Sequence, residues 1–326
     1  MKSSLVTFAL LLTSVISACS RTVATQNGAL NTQTADSAQS KTDVKRDQKT
    51  SDEQLQKQLE QIASAAKGHV GVAAVVLETG ESVSLNPRDH FPMQSVYKLP
   101  IGMAVLKQVD AGKIKLDQKV RVTKSDFVRA GQYSPIRDQN PGGTELSVSE
   151  LLRFAISESD GTASDVLMDL AGGAEGVQTY LNELKITEWI VLNTEKEIGR
   201  DWQTQYRNWS TPEAAVALLR ALHEKRGLSE SSQALVLKLL TESPRGTRRL
   251  KGLLPNGTVV AHKTGTSGAN KGVNAATNDI GIITLPGGQH IAIAVFVSDS
   301  PVDETTREGV IAKVARAVWD KWSSSK

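Results

Sequence analysis

Ser95 and Lys98 stand three residues apart in "FPMQSVYKLPIGMAVLKQ", the stretch Phe91–Gln108. On a helix, positions i and i+3 share a face, so the hydroxyl and the amine point the same way. A serine hydroxyl is a poor nucleophile on its own. A lysine whose pKa is lowered by burial and by nearby cations can take its proton. Backbone amides at a helix start favour the negative charge that develops there, and Pro100 falls early enough in the helix for its missing N–H to cost little. Taken alone, the pair fits the polar start of an ordinary helix equally well. Two further segments bear on the choice. "SESDGTASD" carries Ser159, Asp160 and Gly161 just after an apolar helical run, and "VVAHKTGTSG" carries Lys263, Thr264 and Gly265 at the end of a predicted strand.

The elements that must position these residues follow from periodicity. "SDEQ" at Ser51 is a capping-box pattern, continued at helical spacing by Leu55, Leu59 and Ile62. "VGVAAVVLETGESVSLNP" predicts a β-hairpin turning near Thr79–Gly80. Helices are expected over Val96–Ala111, Ser147–Ala171, Gly176–Leu184, Pro212–Glu224 and Ser229–Thr241, with Thr211–Pro212 a strong helix start. Strands return over Thr258–Thr266, Ala275–Leu285 and His290–Ser298, and a last helix is expected from Glu304 to Trp322. Strands at both chain ends and helices between them predict an α+β fold: an antiparallel sheet with terminal helices on one face, plus an all-helical lobe. The sheet lobe is expected from residues 51–90 and 242–326 and the helical lobe from 91–241, all in one catalytic domain spanning 51–326. A cleft between two lobes is a natural active site.

The chain has 326 residues, 39% hydrophobic and 22% charged, which suits an ordinary globular protein with a sizeable core. A net charge of +3 and only 4% aromatic residues argue against a nucleic-acid partner. Lys2 followed by the apolar run Leu5–Ala18 reads as an export signal, residues 1–18, too short to span a bilayer comfortably. The run ends at Cys19, the only cysteine, so the fold has no internal disulfide, although an exported protein works where disulfides are permitted. Residues 19–50, rich in Thr, Gln, Ser, Asp and Lys, read as a disordered tether. The five histidines, His69, His90, His223, His262 and His290, show no close metal-ligand spacing. No metal or cofactor is therefore expected.

With Ser95-x-x-Lys98, Ser159-Asp160-Gly161 and Lys263-Thr264-Gly265 in this order, the chain resembles a class A serine β-lactamase over roughly Ser51–Trp322. "FPMQSVYK", "HKTGTSG" and "AATNDIGII" resemble the extended-spectrum branch that includes the PER and VEB types. The resemblance implies hydrolysis of β-lactam antibiotics through an acyl-serine, and resistance to them. It implies that Ser95 is the nucleophile, that Lys98 helps activate it, that Ser159 relays a proton to the lactam nitrogen, and that Lys263 binds the substrate carboxylate and supports the relay. Thr264, Gly265, Thr266 and Ser267 are implied along the substrate, with the backbone N–H groups of Ser95 and Thr266 as the oxyanion hole. Leu192–Pro212 resembles the family's Ω-loop, and counting back from "QYRNW" makes Glu195 the deacylation base, with Glu197 as competitor. Tyr133 in "GQYSP" resembles the aromatic residue at the cleft mouth. Arg249 aligns with an arginine that some members use to hold the substrate carboxylate; a solvated surface arginine is the other reading. "ISAC" resembles a bacterial lipobox, which implies a lipidated Cys19 and a membrane-tethered periplasmic monomer; plain cleavage near Ala18 is the alternative.

Two positions depart from the family pattern. Gly161 stands where most members have asparagine, which should open the pocket and remove a hydrogen bond. Gly199 stands where many have an asparagine that helps hold the deacylation water. Two other functions share parts of this residue set. A penicillin-binding D-alanyl-D-alanine peptidase has the serine–lysine pair but no Ω-loop glutamate. A β-lactam sensor acylates and stalls.

Overall fold

A computed structural model describes residues 52–323. The export signal, Cys19 and the tether lie outside these residues. Among the described residues, no helix is long and apolar enough to cross a membrane.

A helix over residues 52–64 (α1) leads into β1 (His69–Val76) and β2 (Ser82–Leu85). The turn between them passes through Gly80 at φ +80°, a conformation glycine adopts without penalty. The C-terminal strands β3 (Val260–Thr266), β4 (Val273–Thr284) and β5 (His290–Ser300) complete the sheet. The order is β2-β1-β5-β4-β3, every neighbour antiparallel, so the chain's two ends meet where β1 pairs with β5. Both faces of the sheet are covered. Along β5, Ile291, Ile293, Val295 and Val297 pack with Leu59, Val314 and Trp319 of the terminal helices. The alternating Ala292, Ala294 and Phe296 face the second core, shared with the helical lobe. This period of two is the strand pleat expressed in sequence.

The helical lobe contains α2 (Lys98–Asp110), α3 (Val148–Ile156), α4 (Gly161–Leu170), α5 (Gly173–Glu183), α6 (Pro212–His223) and α7 (Glu230–Thr241). Local capping sets several starts. Ser147 and Glu150 form a reciprocal capping box at α3, and Thr211 caps α6 ahead of Pro212. The segment Ser147–Ala171, expected as one helix, is two. The chain breaks at Ser157–Asp160 because Asp160 caps α4, accepting the N–H of Ala163, while also accepting that of Ile136. The break holds Ser159 at φ +65°, an uncommon conformation for a non-glycine residue.

Candidate active site

Ser95 lies in a 3₁₀ turn, Gln94–Tyr97, that runs directly into α2. The turn is fastened to the sheet: the Asn278 amide on β4 donates to the carbonyls of Pro92 (2.8 Å) and Met93 (3.1 Å). Gly265 on β3 abuts the same place, since a Cβ there would fall 2.2 Å from the Met93 carbonyl oxygen. Lys98 opens α2, and its side chain is almost wholly buried. Its Nζ donates to Ser95 Oγ (2.9 Å) and to the Ser159 carbonyl (3.0 Å), and lies 3.1 Å from Glu195 Oε2. On the other side of Ser159, Lys263 Nζ donates to its Oγ at 2.9 Å. The unusual backbone at Ser159 thus lets its carbonyl meet one lysine and its hydroxyl the other.

Glu195 begins a single helical turn, Glu195–Ile198, inside the Ω-loop. The loop is drawn shut by Asn208, which accepts the N–H of Leu192 and of Asn193 and donates to the Asn193 carbonyl. Trp202 and Tyr206 meet edge to face within it. Tyr97 donates to Glu195 Oε2 at 2.8 Å. Burial acts to raise the Glu195 pKa, but the Lys98 charge and the hydrogen bonds from Tyr97 and Lys98 outweigh it and hold the carboxyl below its usual range. Glu197 is turned away. It closes a capping box with Thr194, accepting that residue's N–H at 3.0 Å, and its remaining neighbours are Asn193 and Arg200. The two carboxylates, two residues apart, therefore sit in different surroundings. Burial and the neighbouring Lys98 charge hold the Lys263 amine well below its usual range.

Three contributors carried no signal in the sequence reading. Asp165 on α4 accepts the N–H of Glu195 (2.6 Å) and of Lys196 (2.9 Å). Burial pushes its carboxyl up to about 7, against the pull of those two N–H groups. Tyr97 is the second. The third is Gln132, whose amide donates to the Glu195 carbonyl while its oxygen accepts the Arg129 N–H. Gln132 also accounts for a departure from the family pattern, because a Cβ on Gly199 would fall 2.5 Å from its side chain. Gly161 behaves alike: a Cβ there would lie 2.8 Å from Glu195 Cγ and 3.2 Å from the Tyr133 carbonyl. The absence of a side chain at 161 does not open the pocket as expected; Glu195 and the Tyr133 segment occupy that space.

A cleft of about 620 Å³ opens here, lined by Ser95, Lys98, Tyr133, Ser159, Glu195 and Thr266, among others, including Ser267 and Gly199. Tyr133 is exposed at its edge, with the Arg245 guanidinium 4.0 Å over the ring. Thr264 is buried. Arg249 is neither solvated nor part of the lining. Its guanidinium is buried, donating to Glu308, to the carbonyls of Gly265 and Asn278, and, at 2.8 Å, to Thr266 Oγ1. Its link to the cleft runs through that threonine. His262 is buried against Asp279 (2.8 Å), a structural pair.

A serine hydroxyl bonded to a buried amine, with a carboxylate at that amine and a second serine–lysine pair alongside, is the arrangement of a serine acyl-transfer centre. Comparison with known proteins narrows the class. The model of the β-lactamase enzyme family matches residues 54–322. The chain is 43% identical over 266 residues to the extended-spectrum β-lactamase PER-1 of Pseudomonas aeruginosa, covering 81% of this chain and 86% of that protein. It is 40% identical over 264 residues to β-lactamase VEB-1 of the same organism, covering 80% and 88%. The crystal structure of a β-lactamase from Chitinophaga pinensis superposes with a TM-score of 0.80 at 45% identity, covering 82% of this chain and 98% of that one. The chain belongs to the β-lactamase enzyme family, and its fold is that of the class A enzymes.

Proposed function

We propose that the protein hydrolyses the β-lactam amide bond through an acyl-enzyme on Ser95, and so confers resistance to β-lactam antibiotics. The observation that carries this reading is the meeting of Ser95, Lys98 and Glu195, each within 3.1 Å of the next. In acylation, Ser95 Oγ gives up its proton and bonds to the lactam carbonyl carbon. Lys98 is within reach to accept that proton once its own has passed to Glu195, 3.1 Å away. The carbon–nitrogen bond breaks, and the nitrogen takes the Ser159 hydroxyl proton. Lys98 and Lys263 replenish Ser159, so the net transfer is one proton from Ser95 to the lactam nitrogen. The N–H groups of Ser95 and Thr266 stabilise the oxyanion. Lys263 and the Thr266 hydroxyl, the latter oriented by Arg249, receive the substrate carboxylate, with Thr264 and Ser267 along the same edge and Tyr133 at the mouth. In deacylation, Glu195, having returned its proton to Lys98, takes one from a water that attacks the ester. The bond from the acyl carbon to Ser95 Oγ breaks, and that oxygen recovers a proton from Glu195 through Lys98. The Glu195 carboxylate is also what a D-alanyl-D-alanine peptidase lacks, and a sensor would acylate and stall. Purified protein should therefore turn over a chromogenic cephalosporin many times per molecule. Release of a single equivalent would overturn the reading in favour of a sensor or a peptidase.

The perturbed groups set a pH profile. Glu195 must be ionised to act as base, and its pKa is held below the usual carboxylate range. The acid limb of kcat/KM, which reports the free enzyme, should lie below about pH 4.3, the ordinary glutamate value. Lys263 must be protonated to bind a carboxylate, and its pKa is well below the ordinary value. The basic limb of kcat/KM should fall below about pH 10.4, and Lys263→Arg should move it upward, because a guanidinium keeps its proton. A basic limb unmoved by the substitution would assign it to another group.

The protein acts after export, held to the periplasmic face of a membrane by lipidated Cys19 and working as a monomer. The sequence pattern around the lone cysteine supports the export and the tether. Cys19→Ala should shift the protein from the membrane to the soluble fraction with unchanged specific activity. Equal partitioning of parent and variant would contradict the tether.

A further inference from the structure

Two histidines far apart in sequence meet at a point outside the cleft. His223 is the last residue of α6, His290 the first of β5, and Glu78 lies in the turn after β1. His290 donates its backbone N–H to Glu78 Oε2 (2.9 Å), and its Nδ1 lies 2.7 Å from Glu78 Oε1. His223 Nε2 is 3.8 Å from the same oxygen, and the two imidazole rings stand 4.6 Å apart, tilted by 49°. One donor atom from each residue falls within 4.8 Å of the others. None of the three lines the cleft.

We propose that Glu78, His223 and His290 form a binding site for a divalent late transition metal, with Zn²⁺ the fitting ion. Two imidazoles face one carboxylate, yet only His290 is within hydrogen-bond distance of it. Two facing imidazole nitrogens gain little from each other, whereas a metal ion draws on both rings and the carboxylate charge at once, His290 Nδ1 exchanging its bond to Glu78 for the ion. Two nitrogens and one oxygen are a donor set that suits zinc, with water in the fourth position. Magnesium and calcium prefer all-oxygen surroundings. Zinc bonds of about 2.0–2.2 Å would draw the donors closer together than they stand. All three side chains are part-exposed, roughly a third each, so rotation can supply that movement. The Glu78 carboxylate is already oriented by the His290 backbone N–H, the kind of outer contact that fixes a metal ligand. The bound ion would fasten the end of α6, whose start follows the Ω-loop, to the start of β5, a central strand of the sheet.

The test uses the purified, untagged protein and does not depend on β-lactam turnover. Calorimetric titration with Zn²⁺ should show a binding event that Mg²⁺ does not produce. At Zn²⁺ about a hundred times its Kd, the melting midpoint should rise by about 5 °C. Co²⁺ should give the intense visible absorption of a four-coordinate site. The double variant His223→Gln/His290→Gln should lose that binding event and the rise in midpoint, while keeping parental turnover of a chromogenic cephalosporin. If the double variant fails to fold, Glu78→Gln puts the same question with one milder change. Zn²⁺ without effect on the parent overturns the proposal, and so does a folded variant that binds and responds as the parent does.

Discussion

Ser95→Ala protein should form no acyl adduct with any β-lactam, and its hydrolytic rate should fall by about 10⁶-fold, the scale seen when a serine hydrolase loses its nucleophile. The substitution removes one hydroxyl. Lys98 keeps two of its three close partners, the Ser159 carbonyl and Glu195. The lysine is thus not left as an unpaired buried charge, and the cost in stability should stay near the ordinary ~1 kcal/mol of a single hydrogen bond. Melting curves of parent and variant should nearly coincide, while intact-mass spectra taken with a slow substrate differ. An adduct on the variant would show that another residue is the nucleophile.

Glu195→Gln separates the two halves of the reaction. Loss of the Glu195 carboxylate removes the acceptor for the Lys98 proton and should slow acylation, but Lys98, Ser159 and Lys263 remain in place to support ring opening, so acylation should persist for at least some substrates. Water attack on the ester loses its base. General-base assistance is worth about 10²–10⁴-fold, or ~3–5 kcal/mol of barrier, and the acyl-enzyme should live longer by that factor. A burst of one equivalent followed by slow turnover is the expected trace. Glu197→Gln should turn over much as the parent does, because that side chain is committed to capping Thr194 and faces Asn193 and Arg200 rather than Lys98. The opposite pattern, with Glu197→Gln trapped and Glu195→Gln active, would move the base by two residues.

The α+β architecture was legible in the sequence because its signals are local. The helical spacing of Leu55, Leu59 and Ile62, the hairpin turn near Thr79–Gly80 and the Thr211–Pro212 start of α6 each lie within a few residues. The motif residues were legible for the same reason. The break between α3 and α4 was harder to see, since apolar spacing continues on both sides of it. Asp160 was its one local mark, an N-cap residue inside an apparent helix. Gln132, Tyr97 and Asp165 were invisible because their contacts with Glu195 join segments distant in the chain, and two of the three contacts are to backbone atoms, which carry no sequence identity. The same limit hid the meeting of His223 with His290. Glycines 161 and 199 looked like losses in the sequence; in three dimensions they make room for Glu195 and Gln132.

A time course of intact masses for parent and Glu195→Gln protein, mixed with one equivalent of a cephalosporin, tests the central claim most directly. The account predicts an adduct of the full antibiotic mass, or of that mass less a departed side group, localised to Ser95 by peptide mapping. It should be fleeting in the parent and persistent in the variant, with the parent returning to its starting mass as hydrolysed product accumulates. Hydrolysis by the parent with no adduct at Ser95 in either protein would contradict it.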